Sequence, residues 1–220
     1  MRLDILTLFP DMFQPLKESI IKRAIDKKIV EVNLIQIRDF SLDAHKKTDD
    51  IPYGGGAGMV MTPQPLYDAI QSVKTPNSHV IYLSPRGKVF NQNIAKQLSN
   101  YNHIILVCGH YEGIDERVID LCIDETLSIG DYVLTGGEIP AMVVADSVIR
   151  LLDGAITKDS LNEESFSNGL LEYPQYTRPQ VFKGLEVPKV LLSGHHSNIE
   201  KWRAEKSLEI TKSNRPDLLN

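Results

Sequence analysis

Apolar and polar positions alternate from Arg2 to Phe9 (RLDILTLF), the period of a β-strand, and Pro10-Asp11 then supplies a turn and a helix cap. Phe13, Leu16, Ile20, Ala24 and Ile25 recur at helical spacing up to the charged run Asp26-Lys27-Lys28, so the pattern predicts a helix there. Val30 to Ile37 (VEVNLIQI) returns to alternation and completes a β-α-β unit. Residues 43–58 break the rhythm with Asp, Lys, Gly and Pro before Thr62-Pro63-Gln64-Pro65 opens another helix. A loop of that length is usually functional or disordered.

From His79 the order is strand (HVIYL), loop (Ser84-Pro85-Arg86-Gly87), helix (about 91–99), strand (HIILVCG) and the short segment Tyr111 to Asp115. A further strand at Glu125 to Ser128 leads into residues 129–138, and a helix from about Pro140 to Leu152 closes before Gly154. Strands alternating with helices imply an α/β fold with a parallel sheet, here at 1–154. Residues 155–168 (AITKDSLNEESFSN) are polar and read as a linker or loop. Beyond it, at 169–220, Pro174, Pro179 and Pro188 interrupt an irregular stretch, and Ser197 with Glu200 forms a capping-box signature for a helix near 198–210. This predicts a small, mainly helical carboxy-terminal domain.

Composition narrows the class. Of 220 residues, 42% are hydrophobic and 24% charged, the balance of an ordinary globule with a sizeable core. No apolar run reaches the roughly 18 residues of a membrane helix, and Asp4 interrupts the amino-terminal stretch, so a cytoplasmic protein is expected. A net charge of -5 does not draw the whole molecule to a polyanion. The balance is uneven, since residues 1–160 carry 16 basic and 21 acidic groups and residues 161–220 carry eight of each. Locally basic surfaces therefore remain available. Cys108 and Cys122 are too few and too far apart for a zinc ribbon or a redox pair, and read as reduced core thiols. His195-His196 lacks companion ligands at metal spacing and is read as an RNA or loop contact, so no metal site is assigned.

No glycine cluster matches the dinucleotide fingerprint or the phosphate loop. Three strand ends are instead followed by loops rich in Gly, Ser and Pro, at 84–87, 109–113 and 129–137. In an open parallel sheet ligands bind beyond the carboxyl ends of strands, and glycine there lets a ligand approach the backbone. The plainer reading makes each loop a tight turn. Tyr53-Gly54-Gly55-Gly56-Ala57-Gly58-Met59 is dense enough in glycine that a bound partner is needed to offset the entropy of ordering it, unless it is simply a flexible surface loop.

Six segments, in order along nearly the whole chain, resemble the bacterial tRNA (guanine-N1)-methyltransferases acting at tRNA position 37. They are FPDMF at 9–13, PYGGGAGM at 52–59, LSPRG at 83–87, CGHYEGIDER at 108–117, SIGDYVL at 128–134 and YTRP at 176–179. The resemblance implies a SPOUT fold, a parallel α/β sheet with a deep trefoil knot, an exception to the rule that chains do not thread loops. It implies that S-adenosylmethionine lies in the knot. The contacts carried over are Tyr82, Leu83, Ser84 and Pro85 in the first loop, with Gly109, Tyr111, Glu112 and Gly113 in the second. In the third they are Ile129, Gly130, Asp131, Tyr132, Val133 and Leu134, then Gly136, Gly137 and Pro140. It also implies a homodimer whose active site is built across the subunit interface, a tRNA partner and no membrane, and it allows Mg2+ stimulation.

Tyr53, Gly54, Gly55, Gly56, Gly58, Met59 and Arg178 are the implied tRNA contacts, since RNA loops are read by stacking splayed bases on aromatics or arginines. Tyr53 packing on its own loop is the alternative. Asp131 and Glu112 read equally well as turn formers and caps. Guanine N1 carries a proton, so its methylation needs a base to take that proton while charge moves onto O6. By resemblance Arg150 stabilises that charge and Glu164 is the base. The family pattern Asp-Ser-Phe here reads Glu164-Ser165-Phe166, after a linker one residue shorter, and Asp159 is the candidate if the register differs. The rival expectations are a SPOUT enzyme acting on the ribose 2′-oxygen and a non-catalytic RNA-binding homologue.

Overall fold

A computed structural model describes residues 1–157 and 164–219. The chain divides into two compact units, Met1–Ile156 and Thr157–Asn220. The first is built on a five-stranded parallel sheet of β1 (Arg2–Thr7), β2 (Glu31–Gln36), β5 (Ser78–Val89), β6 (His103–Cys108) and β7 (Glu125–Ser128), ordered β2-β1-β6-β5-β7. Two-residue strands β3 (Asp49–Asp50) and β4 (Val60–Met61) pair as a hairpin below the glycine-rich loop.

Alternation along the strands sends side chains to two cores, as a sheet covered on both faces requires. Ile104, Leu106 and Cys108 of β6 and Ile81 and Leu83 of β5 pack with α1 (Ser19–Asp26), α3 (Gln92–Leu98) and α5 (Glu138–Ile149). Ile105, Val107, Val80 and Tyr82 pack with α2 (Pro63–Val73) and α4 (Glu116–Cys122). Every residue of β6 is buried, as its apolar sequence requires.

The structure departs from the expected elements at several places. The helix expected from Phe13 to Ile25 is divided into a 3-10 segment, Pro10–Lys17, and α1, with Glu18 extended between them. Pro15 lacks the N–H that a continuous helix needs, yet Phe13, Leu16, Ile21 and Ala24 still share one core, which is what their spacing recorded. Residues 84–87 are not simply a loop, because β5 continues through them. Its ladder to β7 leaves register after Leu83↔Leu127 and resumes at Lys88↔Leu127. Helix α4 went unread because its buried positions reduce to Val118 and Cys122 while Leu121 faces outward.

The second unit holds α6 (His196–Asn214) and the hairpin β8 (Val181–Phe182) and β9 (Leu185–Glu186). Helix α6 starts earlier than the capping box predicted. His195 is its N-cap, with no side-chain cap bond, and Ser197 lies inside the helix. No helix among the described residues is long and apolar enough to cross a membrane.

At the amino ends of the strands, fully buried Asp4 gathers Arg2 (2.8 Å), Asn33 (2.9 Å) and His103 (2.8 Å), tying β1 to β2 and β6. A buried carboxylate must be paired this way, and its removal strands the partners. Asp4→Ala is expected to cost about 3–5 kcal/mol, read as a lower urea midpoint with unchanged m.

Candidate functional site

Leu83 of β5 lies opposite both Cys108, the last residue of β6, and Leu127 of β7, so the irregular stretch 84–87 within β5 and the loops after β6 and β7 emerge side by side. They enclose a cavity of about 280 Å³. The third loop is held by its own chain: Ser128 Oγ donates to Gly130 O (3.0 Å), and Tyr132 Oη donates to Ile129 O (3.2 Å). It joins the second loop through Gly137 N–H donating to Gly109 O at 2.8 Å.

That contact leaves no room for a side chain. A β-carbon on Gly137 would lie 2.7 Å from Cys108 Cα and 2.9 Å from Gly109 N, both backbone atoms that cannot swing aside. A β-carbon on Gly109 would meet the Tyr82 ring at 2.8 Å. These glycines are required by close approach.

Every residue assigned to the donor by resemblance lines the cavity except Asp131, which is exposed. Arg86, His110, Leu127, Ser128 and Thr135 line it as well. Arg86 and His110 lie inside the segments LSPRG and CGHYEGIDER, and Thr135 inside the third loop, but none of them was assigned a donor contact from sequence. Arg86 is engaged with Glu116 through paired contacts of 2.9 and 3.0 Å, which hold that carboxyl below its usual range. Burial pushes the Tyr82 phenol up, against a lowering hydrogen bond with Ser84. Burial pushes the Cys108 thiol well up, and Glu138 adds to the effect.

Glu138, only 2% exposed, was missed from sequence. It opens α5 directly behind the third loop, and its Oε1 accepts from Thr7 Oγ1 of β1 at 2.8 Å. Nothing local to Gly-Gly-Glu signals that partner.

The glycine-rich segment stands beside the second loop. Glu112 N donates to Met59 O (3.0 Å) and Met61 N to Gly113 O (2.9 Å), while Tyr53 is fully exposed and a β-carbon on Gly54, Gly55 or Gly56 would meet nothing within 4 Å. Gly58 abuts the Glu112 side chain.

Arg150 is the C-cap of α5 in the first unit. Glu164 belongs to the second, where, half-buried, it lines a cavity of about 250 Å³ with Tyr173, Glu200 and Arg203. The Arg203 guanidinium lies 4.6 Å from the Tyr173 ring centre. The chain just after Glu164 is fastened locally: Glu172 N donates to Ser165 Oγ (3.0 Å), Leu171 N to Thr211 Oγ1 (2.9 Å), and Ser207 Oγ to Leu171 O. Arg178 is exposed in the same unit, and Asp159 lies outside the described residues. Among the described residues no group of three His, Cys, Asp or Glu side chains is placed to hold a metal ion.

Gly137→Ala is expected to destabilise the first unit by about 1–3 kcal/mol, the usual cost of overpacking, seen as a lower melting temperature. Cys108 is expected to resist iodoacetamide at pH 8 in the native protein and to react on unfolding, as mass spectrometry would show.

A family model described as tRNA (Guanine-1)-methyltransferase TrmD matches residues 1–220. A curated tRNA (guanine-N(1)-)-methyltransferase of Clostridium novyi is 61% identical over 220 residues, covering 99% of this chain and 91% of its own. One of Caldanaerobacter subterraneus subsp. tengcongensis is 62% identical over 219 residues, covering 98% and 90%. One of Clostridioides difficile is 58% identical over 224 residues, covering 99% and 97%.

Proposed function

From the premise that this chain belongs to the tRNA (guanine-1)-methyltransferase family, we propose that it transfers a methyl group from S-adenosylmethionine to N1 of the guanine at position 37 of tRNA, next to the anticodon. The observation that carries this reading is the cavity at the carboxyl ends of β5, β6 and β7, walled by glycines whose backbone a ligand can reach. The rival activities are not favoured, since each relative compared is named for guanine N1.

The donor fits the residues present. Its adenosyl group would lie among apolar Leu83, Pro85, Ile129, Leu134 and Pro140 with the backbone of Gly109 and the third loop as polar partners. When bound, it supplies a methyl group already activated by the sulfonium charge. Glu164 takes the N1 proton, Arg150 stabilises the negative charge that moves onto guanine O6, and Tyr53 with its glycines holds unstacked bases.

The trefoil knot belongs to the same proposal, supported by close passage of backbone. A β-carbon on Gly87 would lie 2.5 Å from the main chain of Thr126 and Leu127, and the third loop meets the second at Gly137. The working form is a homodimer with the active site across its interface. Helix α5 supports it, because Ile139 and Val143 are exposed on the side opposite buried Val144 and Val148, and Val133 is 84% exposed beside the cavity. In this reading the first unit binds the donor, the second grips tRNA through groups such as Arg178, and the enzyme works in the cytoplasm.

Unmodified tRNA incubated with the protein and methyl-labelled S-adenosylmethionine is expected to yield 1-methylguanosine at position 37 by nucleoside mass spectrometry. Methyl on ribose, or no transfer, defeats the proposal. Arg150→Ala is expected to lower single-turnover transfer about 10²–10³-fold, and Glu164→Gln about 10²–10⁴-fold with donor binding retained by calorimetry. Transfer within twofold of wild type removes the altered residue from the chemistry.

A further inference from the structure

Among the described residues that line the donor cavity, Arg86 and Glu112 carry a permanent charge at neutral pH. Arg86 is held at both ends. Its amide donates to Ser84 Oγ (3.3 Å), and the next residue, Gly87, is wedged where a β-carbon would lie 2.5 Å from the main chain of Thr126 and Leu127. At its tip, Nη1 and Nη2 donate to the two carboxylate oxygens of Glu116, the first residue of α4. A guanidinium has about five N–H groups, so these two bonds leave the others with no protein partner among the described residues. The charge is felt at the inner wall. Burial pushes the Tyr82 phenol up, Arg86 opposes that rise and Glu116 adds to it. The Tyr82 hydroxyl stands at the second loop, 2.9 Å from where a β-carbon on Gly109 would lie. We propose that Arg86 binds the α-carboxylate of the methyl donor and so sets the direction in which the donor lies in the cavity. The inference rests on reading this cavity as the donor site, and adds which wall meets which end of the donor.

The donor is a nucleoside with an amino-acid tail, and the tail carries a carboxylate and an ammonium group. Apolar Leu83, Pro85, Ile129, Leu134 and Pro140 suit the adenosyl end and offer nothing to those charges. An ionised carboxylate taken from water without a partner is costly, so the tail turns to the cation on the wall. The planar guanidinium fork matches a carboxylate, and its free N–H groups can donate to a second one. Glu112 then faces the ammonium. Glu116 balances the guanidinium charge, so the sulfonium of the donor does not meet an uncompensated cation. Because Glu116 already fixes the Arg86 side chain, little rotamer freedom is lost on binding. The plainer reading is a surface ion pair that only ties the first loop to α4, and it gives no preference for a ligand carboxylate.

The test compares two ligands that differ only in that carboxylate: S-adenosylhomocysteine, the spent donor, and its decarboxylated form, S-adenosyl-3-thiopropylamine. Neither carries a sulfonium. Calorimetry with the full-length protein is expected to give S-adenosylhomocysteine a Kd about three- to tenfold lower. In Arg86→Gln the two Kd values should come within about twofold of each other, through weaker binding of S-adenosylhomocysteine alone, while Arg86→Lys retains part of the preference. The side chain is largely exposed, so neither substitution threatens the fold. Equal binding of the two ligands by the wild type overturns the assignment without any variant. A preference that survives Arg86→Gln overturns it too, and equal weakening of both ligands in that variant marks the ion pair as structural only. If neither ligand binds the wild type, the donor-site reading itself fails and the Arg86 assignment falls with it.

Discussion

The contact between Gly137 and the chain at Cys108 and Gly109 is the constraint on which the site depends. Where one amide donates to a carbonyl at 2.8 Å and a β-carbon would fall 2.7 Å from a neighbouring α-carbon, two loops meet at backbone distance. Only residues without side chains allow that. The approach closes the third loop onto the second and leaves the first, interrupted in its ladder to β7, to complete the wall. The cavity is thus a consequence of strand ends in register plus one tight crossing.

Behind that crossing the protein places polar groups where apolar packing would be the simpler choice. Thr7 from β1 reaches Glu138 at the head of α5, so the end of one strand, the start of the last helix of the sheet and the third loop share a buried contact. At the opposite, amino ends of the strands Asp4 performs a similar joining for β1, β2 and β6. Buried carboxylates hold their partners to a narrow geometry because an unmet charge in the interior is costly. The sheet is therefore pinned at both ends, and the loops inherit a firm base.

The second unit carries Glu164 on a different footing. Its neighbours Tyr173, Glu200 and Arg203 come from the turn that follows it and from α6, and the segment is anchored by Ser165, Ser207 and Thr211 rather than by an apolar core. By the resemblance, Glu164 is expected to stand where the family has Asp.

Local chemistry made much of the molecule legible in advance. Alternation in VEVNLIQI and the apolar run HIILVCG mark strands, Thr62-Pro63 marks a helix start, and glycine after each strand end marks a loop that something must approach. Motifs collinear along the chain pointed to the family, and the cavity-lining loops were among them. Pro15 dividing a helix was readable but was outweighed by the spacing of Phe13, Leu16 and Ala24, which records a shared core and not a continuous helix. What only the tertiary structure decided is which distant groups meet: Thr7 with Glu138, 131 residues apart, and His110 with Gly136. Period, capping and turn preference act over a few neighbours along the chain, whereas these contacts exist only after the sheet has ordered its strands and brought these segments side by side.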